Sequence, residues 1–346
     1  MVNGGKKNSL ILSRPRSGRV EGRTDGRPSP FRLPPPPAHA SVTAMKQPNF
    51  YAANGLDRAG HRRGDPAWLA ERLAHPETLF VPVWRGQSLV LPNDGTPAAA
   101  LLARDALAAI GEDGVVLLGL AAERAYFAVD LSPHETPLQL LRAADAVEFT
   151  DLRRVGPLLA RPEGALLAYA RGILHWHSRH RFCGVCGSET RSEQGGHVRR
   201  CVNPGCATSH FPRTDPAVIM LVTDGDRALL GRQAVWNKGM HSTLAGFVEP
   251  GESLEEAVAR EVAEETGIVV EDVTYHSSQP WPFPASIMLG FYARAISREI
   301  EVDTNELEAA RWFERDFLLS HPDDDEFRLP RRDSIARRLI EDWLGR

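Results

Sequence analysis

The chain has no hydrophobic segment of membrane-spanning length. Its apolar runs, such as Ala217–Val222 and Val115–Ala122, fall far short of the roughly 20 residues that cross a bilayer, so no membrane span is expected. Strong net charge is also missing: the formal value is −4 over 346 residues, without the dense Lys/Arg face that duplex-wide phosphate binding needs. No fixed-period repeat appears. With 42% hydrophobic and 25% charged residues, the composition excludes collagen, coiled coil and wholesale disorder. A globular chain with room for two or three domains is left.

Two asymmetries lie under these averages. Residues 1–44 hold eight basic residues against Glu21 and Asp25, a surplus of six, so the remainder is acidic by ten. This leader is rich in Arg, Pro, Gly and Ser, with Pro34–Pro37 consecutive. It cannot bury enough surface to offset its ordering entropy, and disorder is expected. Its composition touches that of a transit peptide, but its prolines and the lack of an amphipathic helix favour a start at Met45. The second asymmetry is cysteine: all four lie between Cys183 and Cys206.

Periodicity divides the rest. In a first domain, 46–170, Thr78–Trp84, Ser88–Leu91, Val115–Leu120 and Arg124–Val129 read as strands. Pro97–Ile110 and Leu138–Phe149 read as helices, and no catalytic constellation is visible. A helix over Gly164–Arg181 leads into a cysteine segment, 178–213. A third domain, 214–346, opens with a hairpin, Ala217–Thr223 and Arg227–Gln233 around Asp224-Gly225. It continues through strands at Thr243–Val248, Val269–Ser277, Ile287–Ile296 and Arg311–Glu314, with helices near 254–266 and 333–345. Strands flanked by helices indicate an α+β or α/β fold.

Cys183-Gly-Val-Cys186 and Cys201-Val-Asn-Pro-Gly-Cys206 form a C-x2-C and a C-x4-C pair, and four thiolates on two short turns suit tetrahedral Zn²⁺. Buried free cysteines or a redox pair are the alternatives; the second pair disfavours the latter. With no open coordination position, such a site is structural, one zinc per chain. Thiols held for metal imply a reducing, cytoplasmic setting. Arg181, Arg191, Arg199 and Arg200 lend some support to nucleic-acid binding, although a clamp between two domains is the better reading of the cysteine segment.

The other constellation is acidic. Ser253 with Glu256 makes a capping box, Gly267 stops the helix, and Leu254, Val258 and Val262 form its apolar stripe. Glu261, Glu264 and Glu265 share another face at the helix C-terminal end, where each acid costs about 0.3–1 kcal/mol against the macrodipole. Arg260 can pair with Glu264 but cannot neutralise all three. Mg²⁺ or Mn²⁺ can, since both prefer oxygen ligands; a solvated acidic face is the bland alternative.

From Gly246 through Glu252, Arg260, Glu261, Val262, Glu264, Glu265 and Gly267 to Ile268, the chain matches G-x5-E-x7-R-E-U-x-E-E-x-G-U at every specified position. It thereby resembles the Nudix hydrolases. The resemblance implies an α/β/α sandwich with a mixed sheet. It also implies catalytic divalent cations on Glu261, Glu264 and Glu265, a site oriented by Arg260 and Glu252, and Glu261 as a base toward the attacking water. Ser278-Gln-Pro-Trp-Pro-Phe-Pro-Ala-Ser286 looks like the signature of the NADH pyrophosphatase branch, which also carries a small four-cysteine zinc ribbon and an α+β N-terminal domain. Taken alone, this stretch is either a stiff Pro-aromatic surface loop or a segment that offers Trp281 and Phe283 as flat faces to a base.

By that resemblance, Glu306 is a further metal ligand. Phe211, Ala245, Phe247, Gln279, Pro280, Trp281, Pro282, Phe283, Pro284, Ala285, Ser286 and Ala336 contact substrate. The C-x4-C pair departs from the branch's usual C-x2-C. The implied activity is hydrolysis of NADH or NAD⁺ to AMP and the nicotinamide mononucleotide, with NAD-capped RNA as a related substrate and a homodimer as the assembly. The competing readings are a Nudix hydrolase of ADP-ribose or a diadenosine polyphosphate, and a non-catalytic zinc-ribbon nucleotide-binding module.

Overall fold

A computed structural model describes residues 47–92, 96–107, 114–141 and 147–346; the expected leader, 1–44, lies outside them. Helix α1 (Pro66–Ala74) starts where Asp65 accepts the Trp68 N–H at 3.0 Å, with proline in the first turn. Strands β1 (Leu79–Trp84), β2 (Gln87–Leu91), β3 (Ala98–Ala99), β4 (Leu102–Ala103), β5 (Val115–Ala121) and β6 (Arg124–Asp130) follow. Short helices α2 (Pro137–Leu140) and α3 (Leu152–Val155) flank β7 (Glu148–Thr150), and the long α4 (Arg161–Arg179) closes this part. The seven strands make one sheet, ordered β3-β2-β1-β6-β5, with β4 on β1 and β7 on β2. One face packs on α4 and the other on α1.

Among the described residues, two expected helices do not form as read. The described part of Pro97–Ile110 forms β3, β4 and a 3-10 turn over Arg104–Leu107; 108–110 lie outside the described residues. Alanine and leucine favour helix locally, but Ala100, Leu101 and Leu102 are wholly buried against the strands, and packing overrides propensity. Leu138–Phe149 likewise ends as one helical turn and a strand: Leu89 pairs with Phe149, and 142–146 lie outside the description.

Next come β8 (Thr190–Glu193), β9 (Val198–Cys201) and β10 (Ser209–His210), a three-stranded antiparallel ribbon. It docks on the N-terminal sheet through the turn at Gln194–His197. His197 bonds the Leu117 carbonyl at 2.8 Å, His177 bonds that of Gly196 at 2.7 Å, and a Cβ on Gly196 would lie 2.7 Å from Val116.

The last body holds β11 (Asp215–Asp224), β12 (Arg227–Arg232), β13 (Leu244–Phe247), α5 (Leu254–Thr266), β14 (Val270–Trp281), β15 (Ser286–Ala295), β16 (Ala309–Glu314), α6 (Arg315–Ser320) and α7 (Ile335–Leu344). Its mixed sheet runs β14-β15-β11-β12-β16, with β13 on β11 and the β11–β15 pair parallel. Alternation along β11 explains its unbroken apolar run. Val218, Met220 and Val222 join Val258 and Val262 of α5 on one side, while Ile219 and Leu221 meet Leu339 and Ile340 of α7 on the other. The result is the α/β/α sandwich that the motif implied.

The Pro-aromatic segment extends β14 and is gripped by the N-terminal body. Phe283 is 8% exposed and belongs to the N-terminal core. The Tyr51 ring meets Phe283 at 5.8 Å and Trp281 at 6.2 Å, edge to face. Arg171 Nε donates to the Pro282 carbonyl at 2.7 Å, and the Arg153 guanidinium lies 4.5 Å over the Phe283 ring. Phe283→Ala should therefore lower stability by about 3–5 kcal/mol in a denaturant melt; a loss below about 1 kcal/mol would show that this side chain does not join the two bodies.

Candidate active site and metal centres

Strand β13 delivers Gly246 to the sheet, and α5 returns across it so that the Glu261 carboxylate lies against the glycine. A Cβ on Gly246 would meet the Glu261 carboxyl carbon at 1.8 Å, so only glycine leaves room for the acid. The capping box on Ser253 starts α5 in register, and Gly267, at φ 69°, ends it. The expected helix bounds and both caps stand as read from the motif.

Arg260 organises the acids. Its Nε and Nη2 grip Glu252 at 2.6 and 2.9 Å, Nη1 donates to Glu261 at 2.9 Å and to Glu264 at 2.8 Å, and Nη2 reaches the Phe247 carbonyl at 2.9 Å. This bidentate hold, with the Glu249 N–H, draws the Glu252 carboxyl down to about 2. The carboxylates in turn hold the guanidinium above its ordinary value.

Glu265 is different: it is 3% exposed, and its Oε2 has no hydrogen-bond partner among the described residues. Burial, then the charges of Glu261 and Glu306, push its carboxyl up to about 8. Burial raises Glu261 as well. Glu264 and Glu306 are exposed at the edge. A buried, unpaired carboxylate among like charges is the electrostatic complement of a divalent cation, and the oxygen donors fit Mg²⁺ or Mn²⁺.

The cysteine centre is more compact. The four Sγ atoms lie within 4.8 Å of one another, with Cys183 and Cys206 3.8 Å apart and Cys186 and Cys201 3.4 Å apart. A tetrahedron with Zn–S of ~2.3 Å has sulfur edges of ~3.8 Å, so the donors fit zinc. Val185 N–H donates to Cys183 Sγ at 3.4 Å, and His210 Nε2 lies 3.3 Å from the same sulfur. His210 carried no motif signal. Of the four arginines weighed for nucleic-acid binding, three make contacts within the fold: Arg191 and Arg200 pair with Glu193, and Arg199 holds His177 and Thr190.

Beside the glutamates opens a cavity of about 400 Å³, lined by Glu265, Ala245, Gln279, Trp281, Phe283 and Ala336 among others. Gln279 is wholly buried and taken up by the scaffold: its Oε1 accepts the Ile335 N–H, and its Nε2 donates to the Asp333 and Phe50 carbonyls. It positions the wall and has no amide hydrogen left for a ligand. Phe211 and Phe247 stand outside this cavity, 63% and 61% exposed, and Pro284 lines neither this cavity nor the second one. Pro280, Pro282, Ala285 and Ser286 face that second cavity. Thr243, Arg153 and Arg331, which also line the first, belong to no recognisable motif.

Three family models match in succession: an NADH pyrophosphatase-like rudimentary NUDIX domain at 77–176, an NADH pyrophosphatase zinc ribbon domain at 178–211 and a NUDIX domain at 213–334. A curated relative, the NAD-capped RNA hydrolase NUDT12 of Macaca fascicularis, is 35% identical over 338 residues, 86% of this chain and 73% of that one. The NAD-capped RNA hydrolase NudC of Mycobacterium bovis (strain BCG / Pasteur 1173P2) is 40% identical over 280 residues, 72% of this chain and 88% of the relative. The chain belongs to the Nudix hydrolase family.

In this Nudix hydrolase the box acids carry more negative charge than Arg260 alone offsets. The raised Glu265 carboxyl has a thermodynamic consequence. An unfolded glutamate loses its proton near 4.5, whereas folded Glu265 keeps it to about 8. Between those values the folded state holds the extra proton, so stability falls as pH rises through that window. Glu265→Gln should melt at a higher temperature than the parent above about pH 8 without added divalent cation; coincident calorimetric melts would remove the case for a strained acid.

Proposed function

We propose that the chain hydrolyses the pyrophosphate of NADH or NAD⁺, giving AMP and the nicotinamide mononucleotide, and that NAD-capped RNA enters by the same chemistry. The observation that carries this reading is the junction of the two motifs: Glu265 of the box and Trp281 of the Ser278–Ser286 segment line one cavity. A pyrophosphate at the glutamates then leaves a flat ring beside the indole. The names of the relatives, NAD-capped RNA hydrolases, agree with it.

Glu261, Glu264, Glu265 and Glu306 would hold Mg²⁺ or Mn²⁺, which, when bound, offsets pyrophosphate charge and favours ionisation of the attacking water. Arg260 fixes Glu252 and Glu261 so that Glu261 Oε1 is held while Oε2 stays available to take a proton from that water. Water oxygen joins phosphorus, the bridging P–O bond breaks, and the bridging oxygen leaves with the other mononucleotide. Gly246 sets the position of Glu261, and the capped α5 presents the acids without a conformational search. Trp281 and Phe283, locked edge to face at 5.0 Å, keep the wall rigid. Incubation with NADH and Mg²⁺ should release AMP, and Glu261→Gln should reduce turnover by about 10²-fold or more while leaving the circular dichroism unchanged. Absence of AMP, or equal activity on ADP-ribose, would overturn the substrate assignment.

The proposal extends to a homodimer. Phe211, at the end of the ribbon, and Phe247, within the box, both expose large rings, and a second copy that covers them would complete the substrate contacts expected of both. Light scattering on the intact chain should give twice the monomer mass of 38.1 kDa; a monomer would remove that role. Four cysteines gathered for a metal suit a reducing compartment such as the cytoplasm. Among the described residues no helix is long and apolar enough to cross a membrane.

A further inference from the structure

Successive residues of an extended strand face opposite ways, and the Pro-aromatic segment uses both sides. Gln279, Trp281 and Phe283 border the cavity beside the glutamates, whereas Pro280 and Pro282 border a second cavity of about 430 Å³. Trp281 borders both. The second cavity lies between the N-terminal body, the end of the ribbon and the catalytic sheet. Its floor is the small-residue face of α4 at Ala165, Ala168 and Gly172.

The charge of its lining is one-sided. Arg58, Arg63 and Arg213 contribute to it, and no Asp or Glu does, although the protein as a whole is acidic. Among the described residues none of these arginines makes an ion pair. Arg58 lies over the Tyr169 ring at 4.0 Å, and Arg63 donates through Nε and Nη2 to the Arg58 carbonyl at 3.0 and 2.8 Å. Asp57 is near Arg63, but its Oδ1 accepts the Ala59 N–H at 2.9 Å. Burial holds the Arg63 guanidinium below its ordinary value and pushes His197 down to about 4, so that the imidazole is neutral at neutral pH. Trp176, also in the lining, is 3% exposed and keeps an indole N–H without an acceptor. Arg63 is half-buried, while Arg58 and Arg213 are exposed; a half-buried guanidinium with no ion pair gains from an anion that supplies one. The flat walls of Trp176 and Trp281, in a volume suited to a small ligand, add room for a ring.

We propose that this second cavity binds a nucleoside monophosphate, with its phosphate on Arg58, Arg63 and Arg213 and its base between the aromatic walls. The site lies beyond the hydrolytic reading and does not depend on which dinucleotide is cleaved.

Calorimetric titration of the intact protein with AMP, without added divalent cation, tests this. Affinity should fall about tenfold or more in Arg58→Ala/Arg63→Ala and in Arg213→Ala, since each removes charge-assisted hydrogen bonds. It should persist in Glu265→Gln, and NADH hydrolysis by Arg213→Ala without added AMP should match the parent. Arg213 is exposed and unpaired, so its variant decides the matter if the double variant does not fold. AMP binding weakened by Glu265→Gln but by none of the arginine substitutions would overturn the proposal, as would an absence of binding. Capture of a six-nucleotide RNA through these arginines, with no AMP binding, would also overturn it.

Discussion

Three carboxylates and one backbone carbonyl converge on the guanidinium of Arg260, and the rest of the site depends on that convergence. A helix that ends in Glu261, Glu264 and Glu265 sets like charges against each other and against its own dipole. Arg260 offsets part of this by tying Glu252 from the preceding loop to the helix, which also closes the loop. Glu265 is outside its reach and buried, so the cost of that acid stays in the folded protein. The glutamate site is thus strained toward cation binding, and Gly246, the one residue that admits Glu261 beside the sheet, defines how closely the strain is packed.

The second organising element is the segment Ser278–Ser286, which serves three bodies at once. It continues β14 of the catalytic sheet, gives Phe283 to the N-terminal core and separates two cavities with alternate side chains. Rigidity comes from both ends: Gln279 is bonded to the start of α7 and to the chain at Phe50, while Arg171 and Arg153 hold Pro282 and Phe283. The N-terminal body, in which no catalytic constellation was visible, therefore acts on the site by holding its wall. Tyr51 extends the hold, its hydroxyl donating to the buried Asp333 at 2.7 Å.

Where local chemistry decides conformation, the sequence was legible. The bounds of α5, its capping box and its glycine stop follow from residues within one helix turn of each end, and the hairpin at Gly225 follows from turn chemistry. The zinc donors were legible because a C-x2-C and a C-x4-C pair put four thiols on two short turns. Legibility failed in the N-terminal sheet, where Pro97–Leu107 has helical composition but forms short edge strands under tertiary packing. The packing roles of two residues within a recognised motif were not legible either: Gln279 and Phe283 line the cavity, and one is also a strut and the other also a core anchor.

The sequence by itself carried the family resemblance, with the sandwich that it implies, the four thiols, and the box acids with their arginine, because each rests on short-range spacing. Only the tertiary structure decided that Glu265 is unpaired and Glu252 strongly held, and that Thr243, Arg153 and Arg331 share a cavity with the box. It alone placed Arg58, Arg63 and Arg213, distant in sequence, around a second cavity. Burial and the meeting of distant segments set local charge balance, and neither is written in the spacing of any one motif.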